Sequence, residues 1–460
     1  MDILRMIDAQ HARLKTHLHD GSGLEAVAVG LCGRGGTPER PLFALHEIVE
    51  IPHGDCWRSP VSVRWPTRAL RALLARAKAE GLAVIKFHSH PKGAHFFSGT
   101  DDISDADLFS AVGLKVPGDH LSAIMLPDGE VFARRLASGA VVGEVARVSV
   151  VGDDLLFWDA SGLDSDRTRD FDLRHRQAFG DRTTRILSQL SIAIVGVSGT
   201  GSPIVELLAR LGVGRIVLVE FDVVEAKNLN RIWGTRRAHA EAKINKAHAI
   251  KTHIDAIGLG TVIEVVEDRI EAAEAIARVS SCDMVFGCMD SVEGRDTLNR
   301  LATFYALPYI DMGVRLDADG DGGIASISAG VHYLVPGRSS LRSRGVYNAD
   351  NLRAEYLYRT DPVFYADQVR RGYIKGVDVD RPAVISINAA VASAAVNELL
   401  ARLHPFRTRL NANFAVQKIL FTHGRTVNRA EGDADASLAA YVGRGNALPP
   451  LLLPRLSKAA

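Results

Sequence analysis

At 460 residues the chain is long enough for two or three domains, and a hydrophobic share of 47% supplies ample core. A net charge of +1 excludes the strong single-sign field that nucleic-acid or membrane-surface binding uses, and no apolar run reaches spanning length, so neither partner is expected. Four cysteines without a C-x-x-C pair (Cys32, Cys56, Cys282, Cys288) exclude a disulfide framework, and charges near the N-terminus occupy the place of a signal-peptide core; a soluble protein of the reducing cytoplasm is expected.

Residues 24–31 and 42–51 read as neighbouring strands, and 66–80 as a helix with Leu70, Leu73, Leu74 and Ala77 on one face, ending at Gly81. Val84–Phe87 then reads as a buried strand. Residues two apart on a strand share a face, so His88 and His90 project together. Pro91 ends the strand, and Asp101 falls near the start of a helix running through Leu108. Two imidazoles and a carboxylate form a zinc set that leaves a fourth position open. Asp102, Asp105 and Asp107 read as acidic first turns favoured by the helix dipole, and His53 and His95 as solvated loop histidines. The pattern H-x-H-P, Ser98, Asp101, with Glu25 on an upstream strand, resembles the JAMM (MPN+) metalloproteases, which cleave isopeptide or peptide bonds after ubiquitin-like C-termini. That resemblance makes His88, His90 and Asp101 the zinc ligands and Glu25 the general base. It gives Ser98 to the tetrahedral intermediate.

Residues 128–150 continue as short strands, and Gly152–Asp172, rich in Asp, Ser and Arg, reads as a junction. The apolar run Ile192–Val195 feeds a glycine-rich turn (Gly196, Gly199, Gly201). An amphipathic segment, Pro203–Leu211, and a second strand, Ile216–Val219, follow. Such a turn lets a phosphate approach the backbone and the amides of a helix start, and the acids Glu220 and Asp222 close the second strand where a carboxylate reaches a ribose. The strict G-x-G-x-x-G pattern is broken at Ser198. Asn228, Arg231, Lys246, and Asp290 with Arg295 complete a set that resembles the ThiF/MoeB and ubiquitin-activating enzyme superfamily over residues 165–430. Its members adenylate the C-terminal carboxylate of ubiquitin-like proteins. The resemblance implies ATP and magnesium: the three glycines on the phosphates, Glu220 on the ribose in place of the usual Asp, and Asn228 and Arg231 on phosphates. It also gives Lys246 to the transferring phosphoryl group, two residues farther from Arg231 than in relatives, and Asp290 to magnesium. Arg176, in LRHRQAFG, matches the arginine that reaches the ATP of a partner subunit, although Leu173 and Arg174 replace the family's Arg-Tyr.

At PGRSSLRSRG, 336–345, Ser340 and Ser343 stand where many relatives carry C-x-x-C, so no zinc is expected in this domain. Three readings are open there. The enzyme stops at the acyl-adenylate, or Ser340 or Ser343 attacks to form an oxyester with Arg338, Arg342 and Arg344 holding the adenylate, or the loop is a basic docking surface. Arg381–Leu403 reads as a long amphipathic helix suited to core or dimer packing, and 414–421 as a strand. The expected architecture is α/β: a JAB/MPN-like domain (1–150), a linker (151–172), a Rossmann-like adenylation domain with a mostly parallel sheet (173–428) and an extended tail (429–460). The expected function is a bifunctional enzyme, with zinc in the first domain and ATP with magnesium in the second. Its partner is a small ubiquitin-like protein ending in Gly, with a conjugating enzyme beside it and a homodimer through the adenylation domain. The alternatives are activation of a sulfur carrier and a non-catalytic nucleotide-binding module.

Overall fold

Alternating apolar strands and amphipathic helices sort the chain into two units, each with its own sheet. The computed structural model describes residues 1–160, 170–319, 321–371, 374 and 383–458. One unit comprises Met1–Ser165 with Thr303–Leu307 and Ala440–Ala460, and the other Asp166–Ala302 with Pro308–Ala439.

The first unit contains β1 (Ile3–Ile7), α1 (Asp8–Leu18), β2 (Val27–Thr37), β3 (Arg40–Glu50), β4 (Trp57–Ser59), β5 (Ser62–Arg64), α2 (Leu70–Glu80), β6 (Ala83–Ser89), α3 (Gly99–Gly113), β7 (His120–Met125), β8 (Val131–Ala137), β9 (Ala140–Glu144), β10 (Arg147–Val151) and β11 (Leu155–Asp159). Among the described residues nine strands form one sheet in the order β11-β10-β1-β3-β2-β6-β7-β8-β9, and β4 and β5 pair as a separate hairpin. Strand alternation gives the sheet two apolar faces. Ile85 and Phe87 of β6 pack with Leu14 and Leu18 of α1, while Val84 packs with Leu73 of α2 and Phe109 of α3. Helix α3 therefore lies over the face that Lys86 and His88 share. The expected junction begins as structure, because β11 pairs antiparallel with β10 at the sheet edge; residues 161–169 lie outside the described residues.

The second unit contains α4 (Leu173–Gln189), β12 (Ser191–Val195), α5 (Gly201–Arg210), β13 (Arg215–Val219), α6 (Arg237–Glu241), α7 (Lys246–Ile257), β14 (Val262–Val266), α8 (Ala273–Ser280), β15 (Met284–Gly287), α9 (Val292–Phe304), β16 (Tyr309–Ala318), β17 (Ile324–Leu334), α10 (Ala349–Thr360), α11 (Pro362–Arg370), α12 (Ile385–Leu403), β18 (Val416–Leu420), β19 (Arg425–Arg429) and α13 (Ala436–Ala439). The sheet order is β14-β13-β12-β15-β16-β17-β18-β19. It is parallel from β14 to β16 and antiparallel beyond. The chain steps from β12 out to β13 and β14, then returns to β15 on the other side. Such a reversal opens a crevice at the carboxyl end of β12. Of the helix expected over 381–403, Arg381 and Pro382 lie outside the described residues, and α12 begins at Ile385. The segment after 429 carries α13 and two short 3₁₀ turns, Pro450–Leu452 and Pro454–Lys458.

Candidate functional site

Two constellations stand out, one in each unit. In the first, β6 delivers His88 and His90 to the start of α3, where Asp101 Oδ1 lies 3.0 Å from His88 Nε2 and Oδ2 lies 3.6 Å from His90 Nε2. One ligand atom from each of the three falls within 4.8 Å of the others. His88 is buried; its Nδ1 has no hydrogen-bond partner, and its Nε2 faces the Asp101 carboxylate without hydrogen-bond geometry. An orphaned imidazole in such a place has the donor set and the need for a divalent cation, so the residues fit zinc. His90 Nδ1 donates to Ala94 O at 2.7 Å, which leaves Nε2 as the lone-pair atom facing Asp101.

The titration properties agree with this geometry. Burial pushes the His88 imidazolium down to about 4, so the ring is neutral near pH 7. At His90 burial acts in the same sense, but Asp101 and the Ala94 carbonyl outweigh it and hold the pKa above the ordinary value. Asp101 is buried too, yet the two imidazoles and Ser98 keep it far below the usual carboxylate range. Glu25 is pushed up to about 7, chiefly by burial, with Asp101 adding to the rise. Its backbone is pinned to the β4–β5 hairpin, its N–H donating to Ser59 O at 2.9 Å and Arg58 Nε donating to its carbonyl at 2.7 Å.

Ser98 is the N-cap of α3. Its Oγ donates to Asp101 Oδ2 at 2.6 Å and its backbone N–H to the same oxygen at 2.8 Å. The hydroxyl expected to face a reacting carbonyl thus orients the Asp101 carboxylate here. His53 and His95 are ordinary surface partners of Asp20 and Glu130. Asp105, read as part of an acidic first turn, lies instead in the second turn of α3 and is fully buried against Lys86 and Arg134.

In the second unit the glycine turn follows β12. Gly196 has φ +88, and a side chain there would meet the Cys288 carbonyl at 2.9 Å. A Cβ on Gly199 would sit 2.4 Å from Asn388 Nδ2 and 3.4 Å from Arg231 Cδ. Gly201 opens α5, whose N-terminus has no side-chain cap; the Ser202 N–H donates to Ser198 O at 3.0 Å and Pro203 has no N–H. Glu220 is buried and accepts from Val197 N at 2.9 Å and from Asp222 N at 3.0 Å. It therefore struts the turn, with lone pairs remaining for a ribose hydroxyl.

Lys246 heads α7. Its N–H donates to Asp222 O at 3.0 Å and its Nζ to Asp222 Oδ2 at 2.8 Å, while the adjacent Asn245 donates to Glu220 O at 2.9 Å. Through Asp222 the lysine reaches the end of β13. Asn228 Oδ1 accepts from Glu225 N at 3.0 Å, and Arg231 Nη1 donates to Lys227 O at 2.8 Å. Asp290 is exposed just past β15, and the N–H of Cys288, which follows that strand, donates to Val195 O at 2.9 Å beside the glycine turn. Arg295 is half-buried and lies 3.2 Å from Asp311. Arg176 stands on α4 with an ion contact to Asp181 at 3.9 Å, apart from these contacts.

The serine loop is internally bonded. Ser340 is 3% exposed and its Oγ donates to Asp435 Oδ2 at 2.5 Å. Ser343 is exposed, and its Oγ accepts from Ser340 N at 2.9 Å. Arg344 donates to Ser339 Oγ, Ala415 O, Tyr333 O and Glu431. Arg344 is thus bonded within the fold, against the one of the three open readings that places it on the adenylate. Asn388, against Gly199, was not among the expected residues. Its one sequence signal is an amide interrupting the apolar face of α12.

A glycine turn at a sheet reversal, with Arg231 beside it, gives an α/β protein a crevice of the kind nucleotide-binding folds use. A sequence model of the ThiF family matches residues 173–436, and the chain belongs to that family. A model of the prokaryotic homologs of the JAB domain matches residues 9–136, so a JAB domain is fused ahead of the ThiF domain. Relatives include ubiquitin-like modifier-activating enzyme 5 of Oryza sativa subsp. japonica, 29% identical over 33% of this chain and 36% of its own. The same-named proteins of Culex quinquefasciatus and Mus musculus are 30% and 28% identical, over 34% and 33% of this chain and 39% and 38% of theirs. The chain thus matches well under half the length of these relatives. Among solved structures, E. coli MccB with MccA-N7isoASN gives a TM-score of 0.47 at 16% identity, covering 59% of this chain and 75% of that one. MccB with N-formylated MccA gives 0.46 at 16%, covering 60% and 76%.

Proposed function

We propose that this chain activates the C-terminal glycine of a small ubiquitin-like protein with ATP and also cleaves peptide or isopeptide bonds after the same tail. The observation that carries the reading is the placement of Lys246, Asp290 and the glycine turn past the ends of β13, β15 and β12. A dinucleotide-binding module has no need of that lysine and aspartate. The similarity to ubiquitin-like modifier-activating enzyme 5 supports the choice of substrate.

In the adenylation step the tail carboxylate attacks the α-phosphorus, forming a P–O bond and breaking the α–β anhydride to release pyrophosphate. The glycine turn holds the phosphates, and Lys246 and Arg231 offset charge that grows on them. Asp290 would hold magnesium, which supplies charge neutralisation at the phosphates. Arg176 is assigned to the ATP site of a second copy. Ser340, with the ionised Asp435 beside its hydroxyl, is the better placed of the two serines for activation, although it is buried; Ser343 is the more accessible.

In the hydrolytic step His88, His90 and Asp101 would hold zinc, which supplies Lewis acidity toward a carbonyl and toward water. Glu25, with its pKa near neutrality, takes a proton from water and returns it to the leaving amine. Ser98 keeps Asp101 oriented.

The test is a tail-extended precursor of a Gly-ended small protein, incubated with the chain, ATP and magnesium and followed by mass spectrometry. The proposal expects loss of the extension, abolished in His88→Ala, followed by adenylate formation that Lys246→Ala abolishes. An unchanged precursor and no adenylate on the mature protein would contradict it. A thiocarboxylate end product would favour the sulfur-carrier reading.

A further inference from the structure

Asp105 takes part in neither chemistry above, yet it is 0% exposed and carries three charged donors. Lys86 Nζ meets its Oδ1, and Arg134 Nε and Nη2 donate to its Oδ2 at 3.1 and 2.8 Å. Arg134 also pairs with Asp102, and its guanidinium lies 4.0 Å from the centroid of the Phe97 ring, which leads into α3.

These contacts repeat the spacing of the metal triad. Lys86 and His88 are two residues apart on β6, and Asp105 and Asp101 are four apart on α3. Two residues of strand advance about 6.7 Å and one helical turn of four residues about 6 Å, so the two rows stay in step. Asp101 meets His88 only when Asp105 meets Lys86. A shift of α3 by one residue, about 1.5 Å, would break both pairs at once. Arg134, reaching Asp105 and Asp102 from β8, fixes rotation of the helix about its own axis.

We propose that Asp105 is a positioning residue, which through Lys86 and Arg134 sets the register of α3 on β6 and so holds Asp101 opposite His88 and His90. The proposal rests on reading those three residues as a metal site. A buried ion pair of this kind contributes little net stability and is suited to fixing one arrangement among several. Such partners behind a metal ligand are worth 10–100-fold in metal affinity.

The experiment is titration of the full chain with cobalt(II) alone, read by its visible absorption and by chelator competition, alongside thermal midpoints. Lys86→Met leaves Asp105 paired with Arg134 and is the variant least disruptive to folding; Asp105→Asn removes the charge at constant shape. Leu121→Ala, in the core on the α1 side of the sheet, controls for general destabilisation. Each of the first two is expected to bind cobalt at least tenfold more weakly than the parent, with an altered absorption band, while the control stays within about twofold at a comparable loss of thermal midpoint. Folded Lys86→Met with parental affinity and spectrum would overturn the proposal, as would a loss of affinity matched by the control. A parent chain that binds no cobalt overturns the metal reading itself, and the positioning role with it.

Discussion

Gly199 shows how a single missing side chain shapes the nucleotide site. A methyl group there would overlap Asn388 Nδ2 and crowd Arg231. Gly199→Ala is expected to destabilise the second unit by about 1–3 kcal/mol through overpacking and to weaken ATP binding, measured by chemical unfolding and nucleotide titration; unchanged affinity would remove the turn from the phosphate site. His332 on β17 offers a pH test. Burial, followed by Arg344 and Arg295, pushes its pKa down to about 3. The unfolded chain protonates this imidazole near pH 6.5 and the folded chain does not, so its contribution is complete above about 6.5 and is lost as pH falls toward 3. Unfolding midpoints at pH 7.5 and 5 should therefore differ more for the parent than for His332→Asn. An equal difference would mean that the ring is accessible to protons in the fold.

At the scale of elements, what the sequence makes legible is what lies close together along the chain. The H-x-H-P run declares its geometry because strand alternation alone places His88 and His90 on one face, and the glycine turn sits between two apolar runs. Partners from distant elements are hidden. Asp105 resembles any acid near a helix start until Arg134 arrives from β8, 29 residues away. Arg344 resembles a loop cation until Glu431 meets it. Asn388 needs α12 folded against α5 before it reaches Gly199. The same logic marks α3 as a packed element: Phe109 is fully buried between α3 and the sheet. Phe109→Ala should cost about 3–5 kcal/mol in the unfolding free energy of the first unit. A cost below about 1 kcal/mol would show that α3 is loosely held, contrary to the register described above.

For the whole molecule, the sequence puts a JAB domain ahead of a ThiF domain, the order the family models find, while Thr303–Leu307 and Ala440–Ala460 grouping with the first unit could not be foreseen from local pattern. Two independent sites in one chain have a separable consequence. His88→Ala should abolish tail cleavage and leave nucleotide chemistry intact, and Asp290→Asn should do the reverse, lowering adenylation about 10²–10³-fold. Loss of both activities in either variant would argue for one composite site.

The most direct measurement is exchange of labelled pyrophosphate into ATP by the purified chain with magnesium and a small ubiquitin-like protein ending in glycine. Label should enter ATP only when that glycine is terminal and free, and Lys246→Ala should abolish the signal while His88→Ala preserves it. Absence of exchange with every glycine-terminated partner, or exchange that persists without one, would contradict the account.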